Sequence, residues 1–279
     1  MTILGFTIIL FVAAVVAGLL GSLTGLGGGV VIIPLLTLVF KVDIHYAIGT
    51  SLISVIATSS GAAAAYVREG ITNIRLGMFL ELATTAGAIA GAWLATYLPT
   101  SVIAILFGVV LIISAGLSFA KRADPVTTGT PGELSVKLRL NSTMPTAQGP
   151  KPYFVKNILG GFFMMNIAGV ISGLLGIGSG ALKVIAMDNV MRIPFKVSTT
   201  TSNFMIGVTA AASAVVYLQR GYIDPGISMP VVIGVLIGAL SGSKILVHTQ
   251  SSGWLRWVFA VVVFFLASQM IYNGVIGRI

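Results

Sequence analysis

Two clusters of glycine residues interrupt apolar stretches of the sequence. The first lies in TGLGGGVVIIPLL, from Thr24 to Leu36, and the second lies in LGIGSGALKVIAM, from Leu175 to Met187. Glycine in a helix interior costs about 1 kcal/mol relative to alanine, so each cluster should unwind the chain locally. The helix that restarts after such a break presents free N–H groups and a positive dipole end, which attract anions. The clusters therefore predict an anion-binding site made by two broken helices.

The same glycines have a simpler interpretation, which is close packing between helices through small residues. A single pair would favour packing, but a duplicated cluster in front of a short apolar segment favours a break. A dinucleotide fingerprint is a poor interpretation, because no strand precedes either cluster.

Lys183 is the charged residue best placed to hold an anion, because it follows Gly180 in the first turn after the second break. A lysine inside an apolar layer is costly unless it pairs or faces water. The alternatives are that Lys183 extends to the outer face of the membrane or pairs with Asp188.

Polar side chains open the spans that follow the breaks, in GTSL at Gly49 and TTTSNFM at Thr199. Their hydroxyl and amide groups can donate to oxyanions, or the hydroxyls can cap the helices. The candidate substrate-binding residues are Gly25, Gly27, Gly28, Gly29, Thr50, Ser51, Gly176, Gly178, Ser179, Gly180, Lys183, Thr201, Ser202 and Asn203.

Glu81 lies inside an apolar span, where a buried carboxylate with a raised pKa could exchange protons. The alternative is an ion pair with Arg75 or with Lys244.

The composition indicates an all-α integral membrane protein. Of 279 residues, 56% are hydrophobic and 8% are charged, whereas an average soluble domain is about 25% charged. The net charge of +9 resides in short loops between apolar segments, which argues against nucleic-acid binding. The absence of cysteine excludes disulfides and thiolate metal sites, and two histidines are too few for a histidine-rich metal centre. We expect no cofactor, no metal and no enzymatic activity, since no nucleophile–base pair or metal motif is present.

Ten apolar segments divide into two groups of five around a polar linker. The segments are Ile3–Thr24, Val30–Phe40, Ile48–Val67, Leu76–Tyr97, Val102–Ala120, Phe154–Leu175, Ala181–Met191, Val197–Leu218, Ile227–Val247 and Trp254–Val275. The predicted units are residues 1–120, a linker at 121–153 with a small hairpin near Ser135–Leu140, and residues 154–279. The linker is rich in lysine and arginine, so it should be cytoplasmic, with both termini outside a bacterial inner membrane.

The two groups of segments are similar in sequence. Gly25 and Gly176 are 151 residues apart, and the same offset superposes Thr50 and Ser51 on Thr201 and Ser202. With five segments per half, the second copy enters the membrane from the opposite side. Inverted repeats that each carry a short, glycine-interrupted segment are typical of secondary transporters.

The motifs GLLGSLTGLGGGVVIIPLL with AIGTSL, and GLLGIGSGALKVIAMDNVMRIPFKVSTTTSNFMIGVTA, resemble the sulfite exporter TauE/SafE family. The resemblance implies a permease for small sulfur-containing anions, such as sulfite or short organosulfonates, that works as an exporter. It also implies that Gly25–Gly29 and Gly176–Gly180 are the paired signature of the family. Ser179 stands where a third glycine is common, and Ile185 stands where the first half has Pro34.

We therefore predict a helical transporter of two inverted halves that works by alternating access. An anion channel with the same pore is one alternative. The other is a membrane subunit that anchors or regulates another complex, with the linker as its docking surface.

Overall fold

A computed structural model describes residues 3–24, 29–68, 70–119, 132–146, 149–248 and 253–279. These residues are almost entirely helical, which confirms the predicted class. The helices are α1 (Ile3–Thr24), α2 (Gly29–Pro34), α3 (Ile44–Arg68), α4 (Ile74–Ala95), α5 (Thr100–Phe119), α6 (Glu133–Lys137), α7 (Ile158–Leu175), α8 (Gly180–Ile185), α9 (Phe195–Gln219), α10 (Pro225–His248) and α11 (Gly253–Ile276). The strands are β1 (Ser142–Thr146) and β2 (Gly149–Tyr153).

Besides α6 in the linker, two of the helical segments are too short to cross a bilayer. Helix α2 continues into a π-helical turn at Leu35–Val39, and α8 continues into a second one at Ala186–Val190. Each continuous segment is about 16 Å long at 1.5 Å per residue, roughly half the thickness of a hydrocarbon core. Among the described residues, α4, α7 and α9 have the length and apolar composition of membrane spans.

The bounds of the elements repeat along the chain. An offset of 151 residues carries α2 onto α8, α3 onto α9, and the first π-helical turn onto the second. The second residue after each short helical segment, Lys41 or Arg192, has a positive φ of 57° or 58°. This agreement in local conformation is what a duplicated chain would produce. The opposite orientation of the two halves in the membrane stays a prediction.

Helices of the first half pack mainly on helices of the second half. Helix α1 packs on α10, α7 packs on α4, and α3 and α9 pack on one another. In the α4–α7 pair the backbones touch directly, because a Cβ atom on Gly173 would lie 1.9 Å from the carbonyl oxygen of Ala88. The glycines of GAIAG at Gly87 and Gly91 face the carbonyl oxygens of Asn166 and Val170 in the same way. Close packing is therefore the role of these glycines.

The linker forms more structure than we expected. The predicted hairpin at Ser135–Leu140 is wrong, because α6 and the turn after it occupy this stretch and the hairpin follows as β1 and β2. The antiparallel register runs from Ser142 opposite Tyr153 to Thr146 opposite Gly149. Leu140 and Tyr153 are 1% and 2% exposed and join the apolar core beneath α4.

Asn73 attaches this hairpin to the helices. Its side-chain oxygen accepts a hydrogen bond from the amide of Leu76 and caps α4, while its side-chain nitrogen donates to the carbonyl of Leu140 and to the Tyr153 hydroxyl. Burial raises the pKa of Tyr153 above its ordinary value. The linker is thus held against the start of α4 by its own buried polar contacts.

Substitution of Gly173 by alanine should destabilise the protein, because the new methyl group would collide with the backbone of α4. Overpacking of this kind costs about 1–3 kcal/mol. Thermal unfolding of the detergent-solubilised protein, followed by size-exclusion chromatography, should show a lower midpoint. Gly116→Ala is the control, because the space beside that helical glycine is open. Equal midpoints for the two variants would contradict the close contact.

Candidate functional site

The second glycine cluster is a break between two helices, as predicted. Helix α7 ends at Leu175 and α8 begins at Gly180. Between them, Gly176, Gly178 and Ser179 have positive φ angles of 67°, 70° and 44°. Glycine adopts this left-handed region freely, whereas it costs an L-residue such as serine roughly 1–2 kcal/mol.

The first cluster is only partly described. Gly25, Gly27 and Gly28 lie outside the described residues, which resume at Gly29, the first residue of α2. The role that we predicted for these three glycines stays a prediction.

The start of α8 presents hydrogen-bond donors. The first bond of the helix runs from the amide of Lys183 to the carbonyl of Ser179, at 3.1 Å. The amides of residues 180–182 therefore stand outside the hydrogen-bond ladder of the helix. The Ser179 side chain does not cap the helix, and within the described part of the chain its buried Oγ has no hydrogen-bond partner.

The two half-helices begin close together. A Cβ atom on Gly29, the first residue of α2, would lie 3.2 Å from the carbonyl oxygen of Gly176 in the break before α8. A narrow cleft opens at this meeting point. Its lining comes from both half-helices, the break and α5: Val30, Val110, Ser114, Ile177, Ser179, Gly180, Ala181 and Leu182.

Ser51 and Ser202 lie beside the second break, but none of the predicted hydroxyl residues caps a helix. That interpretation is wrong because α3 begins at Ile44 and α9 at Phe195, several residues before them. Ser51 donates to the carbonyl of Gly176 at 2.9 Å, and Ser202 donates to the carbonyl of Gly180 at 3.2 Å. These two serines hold the backbone at the second break.

The other three predicted polar residues lie farther from the cleft lining. Thr50 shares a hydrogen bond with Ser228 of α10, with 3.1 Å between the hydroxyl oxygens. Thr201 accepts a hydrogen bond from the amide of Asn73. Asn203 is half-buried on α9.

Lys183 is fully buried, so it does not extend to the membrane surface. Its Nζ donates to the Thr209 hydroxyl of α9, and the Thr209 hydroxyl lies 2.6 Å from Oε1 of Glu81. Lys183 and Glu81 are thus joined through one threonine. Lys183 is absent from the residues that line the cleft.

The alternative in which Glu81 pairs with Arg75 is wrong. Arg75 is exposed and donates to the carbonyl of Arg139, whereas Glu81 is 7% exposed and accepts from Thr85 and Thr209. The Lys244 side chain lies outside the described residues.

Sequence reasoning missed Thr209 and Tyr217. The Tyr217 hydroxyl lies 3.3 Å from the carbonyl oxygens of Gly173 and Leu174, at the end of α7. The tyrosine had a signal in the sequence, since Tyr66 precedes it by the repeat offset of 151 residues. Thr209 had the same kind of signal, since Thr58 precedes it by 151 residues, but its role depends on which face of α9 meets α4.

The chain is similar to known membrane proteins over nearly its whole length. Residues 10–270 match the model of a family described as Sulfite exporter TauE/SafE. The chain is 28% identical over 276 residues to the probable membrane transporter protein YunE of Bacillus subtilis, which covers 96% of this chain and 98% of that protein. The probable membrane transporter protein YdhB of the same organism is 27% identical over 238 residues, 85% of this chain and 87% of the relative. The probable membrane transporter protein MJ0441 of Methanocaldococcus jannaschii is 24% identical over 249 residues, 85% of this chain and 84% of the relative. No solved structure matches the chain significantly.

Gly178→Ala should lower the thermal midpoint for two reasons, which are the left-handed backbone and a Cβ atom 2.9 Å from Ile206 Cγ2. The backbone cost is roughly 1–2 kcal/mol. Gly221→Ala is the matched control, with a φ of 75° and open space beside it. We expect the larger loss at Gly178, and a favourable coupling when Gly178→Ala is combined with Ile206→Ala. An equal loss at Gly221, with no coupling, would mean that Ile206 does not press on the break.

Proposed function

Since the chain belongs to the sulfite exporter TauE/SafE family and is a multi-pass membrane transporter, we propose that it exports sulfite or a short organosulfonate by alternating access. The observation that carries this proposal is the meeting of two half-helices at a cleft. Within the described residues, that cleft holds unwound backbone and the unpartnered hydroxyl of Ser179.

The donors at the cleft suit an oxyanion. The amides of residues 180–182 and the Ser179 hydroxyl can all donate, and the sulfur-bound oxygens of sulfite or a sulfonate only need to accept. The half-helix from Gly180 to Val190 points its positive dipole end at the same place. The glycines leave the backbone bare, so an anion can approach it closely.

Lys183 would supply the positive charge. It follows the free amides directly, and its flexible side chain reaches Thr209 in this structure. If the Lys183 ammonium left Thr209 and bound the anion instead, only the side chain would have to move, and α8 could stay in place. The substrate-binding role of Lys183 and of the break residues is part of the proposal.

Alternating access would come from two inverted halves that share one site. The matching bounds of α2 with α8 and of α3 with α9 support this arrangement. The basic linker would face the cytoplasm and the termini would lie outside. Export of a doubly charged anion would then be favoured by about 2.3 kcal/mol per charge for each 100 mV of inside-negative potential.

Counterflow in liposomes tests this function. Purified protein should exchange external labelled sulfite for internal unlabelled sulfite, and the rate should rise when unlabelled sulfite is placed on the far side. Methanesulfonate and sulfate, tested as competitors, would show whether the anion class extends beyond sulfite. Flux that neither saturates nor responds to far-side substrate would indicate a channel instead.

Lys183→Ala should weaken sulfite binding by roughly tenfold or more, because a hydrogen bond to a charged group contributes about 1.5–3 kcal/mol. Isothermal titration calorimetry measures the change, with Lys156→Ala as the control because Lys156 is exposed. Lys183→Met, which keeps the length of the side chain without the charge, should behave like the alanine variant. Unchanged affinity in both variants would remove Lys183 from the site.

A further inference from the structure

Glu81 is an acidic side chain with one unsatisfied oxygen inside the helical bundle. Oε1 accepts from Thr209 at 2.6 Å and from Thr85 at 3.2 Å. Oε2 is buried and has no hydrogen-bond partner within the described residues. A buried, unpaired oxygen on a charged carboxylate is costly, and a proton on that oxygen removes the charge.

Lys183 is the charged group that faces Glu81. Its ammonium donates to the Thr209 hydroxyl, which in turn donates to the Glu81 carboxylate. Two helices pack on the α4 segment that carries Glu81. Helix α7 contains no titratable residue, and α9 contains Lys196 and Tyr217. These two lie about 20 Å and about 12 Å from Thr209 along the axis of α9. The charge balance at Glu81 therefore depends on Lys183.

The fold itself does not require this charge pair. At the offset of 151 residues, Lys183, Thr209 and Glu81 correspond to Ile32, Thr58 and Val232. The equivalent cluster thus combines Ile32 and Thr58 of the first half with Val232 of the second, which are two apolar residues and the same threonine. Buried ion pairs are often no more stabilising than apolar residues of similar volume. A charge pair present in only one of the two equivalent clusters points to a role in function.

We propose that Glu81 binds and releases one proton in each transport cycle, and that this proton decides whether Lys183 is free to hold the anion. When Glu81 is ionised, it and the Lys183 ammonium neutralise each other through Thr209. When a proton joins Oε2, the acid is neutral and the ammonium keeps its proton, so one negative charge of the substrate takes the place of the carboxylate. Release of the anion returns the proton to water. One proton therefore moves with each anion, and this coupling rests on the anion site proposed above.

The test uses the full-length protein in liposomes with labelled methanesulfonate, whose charge stays constant over the pH range used. A gradient of one pH unit, acid outside, should drive up to about tenfold accumulation of methanesulfonate inside, because one coupled proton transmits the whole gradient. Glu81→Gln should abolish accumulation yet keep the exchange of labelled for unlabelled methanesulfonate at equal pH. Glu133→Gln, in which an exposed acid of α6 is changed, should behave as the wild type.

Two results would overturn the inference. One is accumulation retained in Glu81→Gln. The other is a folded Glu81→Gln protein that exchanges no methanesulfonate while the wild type does, since a neutral side chain at position 81 should leave the anion site intact. Thr209→Val, which removes the bridging hydroxyl and keeps the shape, should also lose accumulation; if it accumulates normally, the bridge has no part in coupling.

If the wild-type protein exchanges neither methanesulfonate nor sulfite, this result contradicts the proposed function. It does not contradict the binding and release of a proton by Glu81. Infrared titration then tests the proton alone. The chain has seven acidic side chains, so the carbonyl band of a buried protonated acid can be assigned by substitution. The band should grow on acidification, disappear in Glu81→Gln and remain in Glu133→Gln. Absence of such a band at every pH would end the inference.

Discussion

The unwound backbone at residues 176–179 is the constraint on which the centre of the molecule depends. Backbone carbonyl groups in an apolar bundle need hydrogen-bond partners, and those released where α7 ends find them on other helices. Ser51 of α3 donates to Gly176, and Tyr217 of α9 reaches the last carbonyls of α7. Because α3 and α9 supply these hydroxyls, both helices have to lie beside the second break. The packing of α3 against α9 follows from the need to give the backbone carbonyl groups at this break hydrogen-bond partners.

Glycine serves two separate physical purposes in this chain. In the α4–α7 pair, glycines such as Gly173 allow two backbones to touch, and the helices stay regular. At Gly176 and Gly178, glycine supplies a left-handed backbone that ends one helix before the next begins. The first use stiffens a helix pair, since neither helix can shift without a collision. The second opens a short segment of backbone. A fold that uses glycine in both ways has rigid helix pairs around a centre in which helices are interrupted. Such a fold suits a mechanism in which helical bundles move about a fixed binding site.

The sequence was enough to predict the spans, the short segments and the break before Gly180, because these depend on local composition and on glycine. It was not enough to predict how the helices face one another. The spans are apolar on nearly all sides, so their pattern does not show which residues meet. Glu81, for which Arg75 and Lys244 were the alternative partners, accepts a hydrogen bond from Thr209. The core of the linker was missed for a related reason. Leu140 and Tyr153 are buried by Asn73 and α4, which are distant in the sequence.

The helices of the two halves have matching bounds, but the buried charged residues do not repeat with them. Lys183 and Glu81 come from different halves of the chain and meet through Thr209, whereas the corresponding positions of the repeat hold the apolar residues Ile32 and Val232. Only one of these two equivalent clusters would therefore sense the charge of the substrate. With one proton per anion, a singly charged sulfonate moves without net charge, and the membrane potential cannot drive it. A doubly charged anion carries one net negative charge outward, which an inside-negative potential favours by about 2.3 kcal/mol per 100 mV. The accompanying proton opposes this by about 1.4 kcal/mol for each pH unit that it must climb. Under such coupling, the charge of the substrate decides whether the potential assists export.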